Sequence, residues 1–250
     1  MPLPCRTVLR RDIGAPSGRW FSGATSERLR QLKELAGACG VWQQSGAGLL
    51  KLASKFSMGD SIKVILASAS PRRHQLLSAA GIEFETIESL VPERHEPGEP
   101  ACDYALRMAQ DKARAVSSRC PEAIVIGADT IVVCETRILE KPANADDARR
   151  MLAMLAGRTH TVVTAFALAR AGKILESSPV ESRVTFRKLS ESEIDDYIAT
   201  EEPFDKAGAY GIQGIGGRFI SHLEGSRENV MGLPTERVVA ALARCGVKPV

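Results

Sequence analysis

A nearly continuous apolar run, IKVILAS over residues 62–68, passes directly into SPRRHQLL. This junction limits the folds open to the chain more than any other stretch. An apolar run without alternation reads as a strand covered on both faces, the pattern of a central strand in an α/β sheet. Ser70 can cap a following helix, Pro71 suits its first position and Gly81 can end it. The turn therefore sets Arg72 and Arg73 at a helix N-terminus. Guanidinium groups there are costly to bury unless an anion meets them.

The rest of the chain sustains the α/β reading. EFETIES (83–89) alternates like a strand, and residues 101–118 have helical spacing through Tyr104, Met108, Lys112 and Ala115. AIVIGADTIVV (123–133) is a second buried-looking strand. NADDARRMLAMLAG (144–157) opens on an Asn cap and closes on glycine. Two long β-rich segments, 160–170 and 174–188, are joined by AGK like a hairpin. SESEIDDYIAT (190–200) begins with a capping box, Ser190 and Glu193. A Gly-rich stretch (207–217), a short strand near 218–223 and a helix over 233–244 follow. Strands and helices alternate early and hairpins come later, so a mixed sheet is expected.

Residues 1–60 read differently. They hold nine basic against four acidic residues, one plausible helix over 25–38, and no continuous apolar segment of the secretory kind. We expect a weakly ordered N-terminal extension, or an upstream start in place of Met58, before a domain over 61–250. That domain carries 24 basic and 26 acidic residues, and only 5% of the whole chain is aromatic. Both facts count against a nucleic-acid-binding protein. No apolar run reaches the roughly 18 residues of a membrane span. Six cysteines include no C-x-x-C pair, and four histidines are scattered without ligand spacing. The expected location is the cytoplasm.

Four stretches carry chemistry. At Ser68–Arg73, backbone N–H groups, two serine hydroxyls (Ser68, Ser70) and two arginines converge as they would on a phosphate. In GADT, Asp129 follows the buried run Ile124–Ile126, a strand-end position suited to a catalytic or metal-holding carboxylate, or to an Asx-turn. In LEKP, the proline restrains the backbone at Lys141, which can neutralise a polyphosphate or simply be solvated. In DKAGAYGIQGIGG (205–217), small residues permit close backbone approach, and the amide of Gln213 can read a base edge. Glu93 and Lys112 are weaker signals. Together these groups are the parts needed to attack a nucleoside polyphosphate.

The stretches LASASPRR, AQDKA, IGADTIVV, LEKP, GRTHTVVTAFAL, EPFDKAGAYGIQGIGG and NVMGLP, in this order, resemble the Maf family of nucleotide pyrophosphatases, over about Ile62 to Val247. The resemblance implies a mixed α/β fold of two lobes around a deep nucleotide-binding cleft, related to inosine triphosphate pyrophosphatases and often dimeric. It implies hydrolysis of a nucleoside triphosphate to the monophosphate and pyrophosphate, assisted by a divalent cation (Mg, Mn or Co). It makes Asp129 the catalytic acid/base residue, and Arg72, Thr130 and Gln213 the substrate-selecting positions. Arg73, Ser68, Ser70, Lys112, Lys141 and Lys206 would contact substrate, and Glu93 with Asp129 would hold the metal. ADT with GIQG matches the branch that prefers dTTP and UTP. The segment EGSRENVMGLP departs by lacking the aromatic residues usual before NVMGLP. Other readings are a non-catalytic nucleotide sensor acting in cell division and a 7-methyl-GTP pyrophosphatase.

Overall fold

The computed structural model describes residues 62–250. The N-terminal extension and its expected helix lie outside the described residues. The described chain runs β1 (Val64–Leu66), α1 (Pro71–Ala79), β2 (Glu85–Thr86), α2 (Ala101–Ser117), β3 (Ile124–Cys134), β4 (Arg137–Leu139), α3 (Ala145–Leu155), β5 (Thr159–Arg170), β6 (Lys173–Phe186) and α4 (Glu191–Ile198). Three short 3₁₀ turns lead to β7 (Ile220–Glu224), α5 (Arg227–Met231) and α6 (Thr235–Arg244). The seven strands form one sheet in the order β2-β1-β3-β5-β6-β7, with β4 added to β3. β1 pairs in parallel with β2 and β3, and the remaining pairs are antiparallel. The expected mixed sheet is therefore present.

Sequence signals account for most of these boundaries. The Asn144 side chain accepts from the Asp147 amide at the start of α3, and Ser190 and Glu193 form the capping box of α4. Ser70 precedes α1 with Pro71 in the first turn, but its side chain makes no capping bond; its amide instead donates to Ser68 Oγ at 3.2 Å. Two elements were not anticipated, β4 and α5. β2 is much shorter than the 83–89 run suggested, because only Glu85 and Thr86 pair with β1.

The two faces of β3 do different work. Even-numbered residues Ile124, Ile126 and Ala128 join an apolar cluster with Leu76 and Leu77 of α1 and Val238 and Leu242 of α6. Further along the same face, Val132 and Cys134 join a second cluster with Met151 and Leu152 of α3 and Ile194 and Tyr197 of α4. Thr130 lies between the two. Its cross-strand partner on β5 is Thr164, with the hydroxyls 3.0 Å apart. The two lobes are thus two apolar clusters on one sheet face, parted by a polar seam. α2 covers the opposite face through Ala105, Met108, Ala109 and Ala113. Among the described residues, no helix is long and apolar enough to cross a membrane.

Candidate active site

β1 accompanies β3 only as far as Ile126, and β4 joins it only at Val132. One edge of β3 is therefore unpaired by strands over residues 127–131. A cleft of about 550 Å³ opens at that gap. Because the edge is open, side chains from both faces of β3 reach the same space: Asp129 from the α2 side and Thr130 from the seam. All the residues singled out from sequence line this cleft: Ser68, Ser70, Arg72, Arg73, Glu93, Lys112, Asp129, Thr130, Lys141, Lys206 and Gln213.

Asp129 is not at a strand end, as the sequence suggested, but in the middle of β3. The pairing of β5 along the other edge continues through Asp129↔Ala165 and beyond, so GADT extends the strand instead of turning it. Lys112 of α2 reaches down to this carboxylate. Its Nζ donates to Asp129 Oδ1 at 2.6 Å and to Glu93 Oε1 at 2.5 Å. Lys112 and Asp129 are buried, whereas Glu93 is about half exposed on the loop before α2. Gly127 allows this approach. A Cβ there would lie 2.7 Å from the Ala113 amide nitrogen and closer still to the Ala109 carbonyl, so α2 packs against bare backbone. Burial raises the Glu93 pKa, but Lys112, Lys141 and Arg73 outweigh it and leave the carboxyl below its ordinary range.

The two arginines of SPRR have separate tasks. Arg73 turns inward and donates to Gly232 O at 2.8 Å, Ser68 Oγ at 3.1 Å and Thr130 Oγ1 at 3.2 Å. It ties α1 to β3 and to the turn after α5. Burial lowers its pKa, opposed by Asp129 and Glu93. Arg72 stays at the cleft mouth, where it meets Asp205 Oδ2 at 2.9 Å. Lys206 also binds Asp205, at 2.5 Å, and the Glu202 carbonyl, at 2.6 Å. Lys141 is exposed, 4.0 Å from Glu93 Oε2. Gln213 is exposed on the lip and makes no hydrogen bond among the described residues.

Several residues that line the cleft or buttress it were not singled out from sequence. Asp205 sits inside the quoted DKAGAY stretch, and its sign opposite two candidate cations was an available clue. Tyr104 and Glu140 also line the cleft, the phenol donating to the carboxylate at 3.2 Å. Asn229 pins α5 into the seam: its Nδ2 donates to Val162 O and Ser182 Oγ, and its carbonyl accepts from Thr164 Oγ1 at 2.7 Å. Only the fold brings those partners together.

For a divalent cation, the donor set is oxygen only. Lys112 engages one oxygen of each carboxylate, which leaves Asp129 Oδ2 and Glu93 Oε2 for a hard cation. No group of three or more metal-binding side chains occurs among the described residues. Two carboxylate oxygens fit Mg²⁺ or Mn²⁺, which commonly complete their shell with substrate phosphates and water.

The family model described as "Maf-like protein" matches residues 63–245. A dTTP/UTP pyrophosphatase of Koribacter versatilis is 51% identical over 185 residues, 74% of this chain and 95% of that protein. A dTTP/UTP pyrophosphatase of Yersinia pestis is 52% identical over 170 residues, covering 68% and 86%. Among solved structures, a HAM1 protein from Coxiella burnetii is 14% identical with a TM-score of 0.41, over 73% of this chain and 99% of that one.

Proposed function

Because the chain belongs to the Maf-like family, we propose that it is a nucleoside triphosphate pyrophosphatase acting on dTTP and UTP, yielding the nucleoside monophosphate and pyrophosphate. The carrying observation is the Glu93–Lys112–Asp129 bridge at the open edge of β3, facing two arginines at the N-terminus of α1. The relatives named dTTP/UTP pyrophosphatases, about half identical over most of their length, support the same substrate class.

The chemistry follows from the charges. A triphosphate carries three to four negative charges, and water attacks the α-phosphorus only if these are offset. Arg72, Lys206 and Lys141 stand at the cleft mouth, where phosphate oxygens can exchange with Asp205 and Glu93 as partners. The N-terminus of α1 adds partial positive charge. Asp129 is the base: its free oxygen orients a water and takes its proton as the water oxygen bonds to the α-phosphorus. The α–β bridging oxygen leaves with pyrophosphate. Lys112 fixes the Asp129 carboxylate in place and keeps Glu93 beside it. In the alternative use of the free Asp129 oxygen, Asp129 and Glu93 would hold a divalent cation, which would supply further neutralisation of the phosphates.

Base selection falls to Gln213. A side-chain amide can donate to a carbonyl and accept from an N–H, which matches the O4/N3 edge of thymine and uracil. Cytosine presents an amino donor at the first position. Once a bound base covers the Gln213 amide, leaving it unpaired costs about 1–3 kcal/mol, roughly 5- to 150-fold in selectivity. The test is a pyrophosphate-release screen over canonical triphosphates and 7-methyl-GTP with Mg²⁺, Mn²⁺ and Co²⁺. dTTP and UTP should exceed CTP and ATP roughly tenfold or more in kcat/KM. Binding of dTTP without pyrophosphate release would favour a sensor, and faster cleavage of 7-methyl-GTP would overturn the base assignment.

A further inference from the structure

Gln213 occupies the tip of a turn closed by the Gly214 amide donating to Gly211 O at 3.3 Å. No hydrogen bond among the described residues holds its side chain, so its aim depends on how the turn is held. Both shoulders of the turn lead to one side chain, Glu202. Glu202 Oε2 accepts from the Ile215 amide at 2.9 Å, and Oε1 accepts from the Gly216 amide at 3.3 Å. Oε1 also accepts from Tyr197 Oη–H at 2.9 Å, and Tyr197 Oη accepts from the Gly211 amide at 3.3 Å. Burial and the neighbouring Glu202 both push the Tyr197 phenol up, so it keeps the proton it donates. Charge-assisted bonds from backbone amides to a carboxylate are among the stronger ones.

The surroundings are built to admit this carboxylate. A Cβ at Gly214 would collide with the Glu202 carboxyl group, and one at Gly216 would sit 2.6 Å from Tyr197 Oη. Glu201, just before, holds a left-handed φ of 61°, and Ala209 holds 60°. Such conformations are unfavourable for a non-glycine residue and persist where surrounding contacts enforce them. On the far side, Arg227 donates to Ile212 O at 3.3 Å. This arginine stands in the segment EGSRENVMGLP, just before NVMGLP.

We propose that Glu202, acting through Tyr197 and the amides of Gly211, Ile215 and Gly216, is the positioning residue that sets base selectivity by fixing the Gln213 turn. The proposal rests on the pyrimidine-triphosphate reading above. Glu202 touches none of the phosphate-directed cations Arg72, Lys206 and Lys141 with its carboxylate, so its loss should act on recognition and not on the chemical step.

The experiment compares wild type, Glu202→Gln and Tyr197→Phe. In Glu202→Gln one carboxylate oxygen becomes an NH₂ that faces an N–H. Tyr197→Phe keeps the ring beside Phe219 and removes only the bridging hydroxyl; it carries the test if the first variant does not fold. Amide hydrogen exchange at 211, 215 and 216 should accelerate in both variants. The preference for dTTP over CTP should fall roughly fivefold or more, through a higher KM for dTTP with kcat within about threefold. Unchanged exchange overturns the proposal, and so does a lower melting temperature with selectivity intact. If wild type itself fails to discriminate dTTP from CTP, the base reading is what falls. The positioning role is then judged by exchange and by KM for the triphosphate cleaved fastest.

Discussion

Asp129 and Thr130 are adjacent in sequence and face opposite sides of β3, yet both border one cleft because that strand edge is open between Ile126 and Val132. Asp129→Asn should therefore fold normally, since an amide oxygen still accepts from Lys112 and Glu93 still faces the ammonium. Its turnover should fall by about 10²–10⁴, the worth of a general base. A purified variant that keeps about half the wild-type rate would remove Asp129 from the centre of the chemistry. Arg73→Lys is predicted to be far from conservative. A single ammonium cannot reach Gly232 O, Ser68 Oγ and Thr130 Oγ1 together as the guanidinium fork does. Loss of both melting temperature and kcat is expected by calorimetry and pyrophosphate release; an unchanged melting temperature would show that the Arg73 contacts are not structural. The types of these residues were legible in sequence, but their division of labour was not. SPRR presents two identical side chains, and only tertiary placement makes Arg73 a tie between elements and leaves Arg72 at the mouth with Asp205.

At the scale of elements, long periodic segments were readable throughout, whereas some short ones, unlike β1 and β7, were not. β3, β5, β6, α2 and α3 each span eleven residues or more, enough for apolar spacing to declare itself. β4 has three residues and α5 has five, too few for any period, and both are fixed by tertiary partners. The placement of Asp129 at a strand end failed for a related reason. Small residues in GAD read as a turn, whereas Gly127 is small because α2 presses on β3 there. Gly127→Ala tests that account directly. The added methyl must push α2 away, at about 1–3 kcal/mol for an overpacked site. For a domain of this size, each kcal/mol lowers the melting temperature by about 2–4 °C. Activity should fall as well, because Lys112 rides on the displaced helix. Wild-type melting behaviour in Gly127→Ala would mean the helix contact is looser than described.

The molecule as a whole couples its cleft to its acid stability through one buried side chain. His160 on β5 is 2% exposed, packed edge-on against Phe186 of β6 and Tyr210 of the glycine-rich loop. Its Nε2 lies 2.8 Å from Tyr210 Oη, and its Nδ1 has no partner among the described residues. Burial drives the Tyr210 phenol well above its ordinary range, so the phenol keeps its proton, and the bond to the neutral imidazole runs in either direction according to the tautomer. Burial alone pushes the His160 pKa down to about 4 from 6.5. The sign follows: between those values the unfolded chain binds a proton that the native protein refuses, so stability is full above pH 6.5 and drains as pH falls toward 4. At pH 5 the loss is about 2 kcal/mol, or roughly 4–8 °C in melting temperature. The other three histidines are exposed, which leaves His160 as the buried titrating group in this window. The measurement is unfolding free energy from pH 7 to 5 for wild type and His160→Gln, by urea titration. Wild type should steepen below pH 6.5 by close to one proton per molecule, and the variant should lack that slope while being less stable at pH 7. Parallel profiles would show that His160 is protonated in the native core, and that the Tyr210 contact does not hold it neutral.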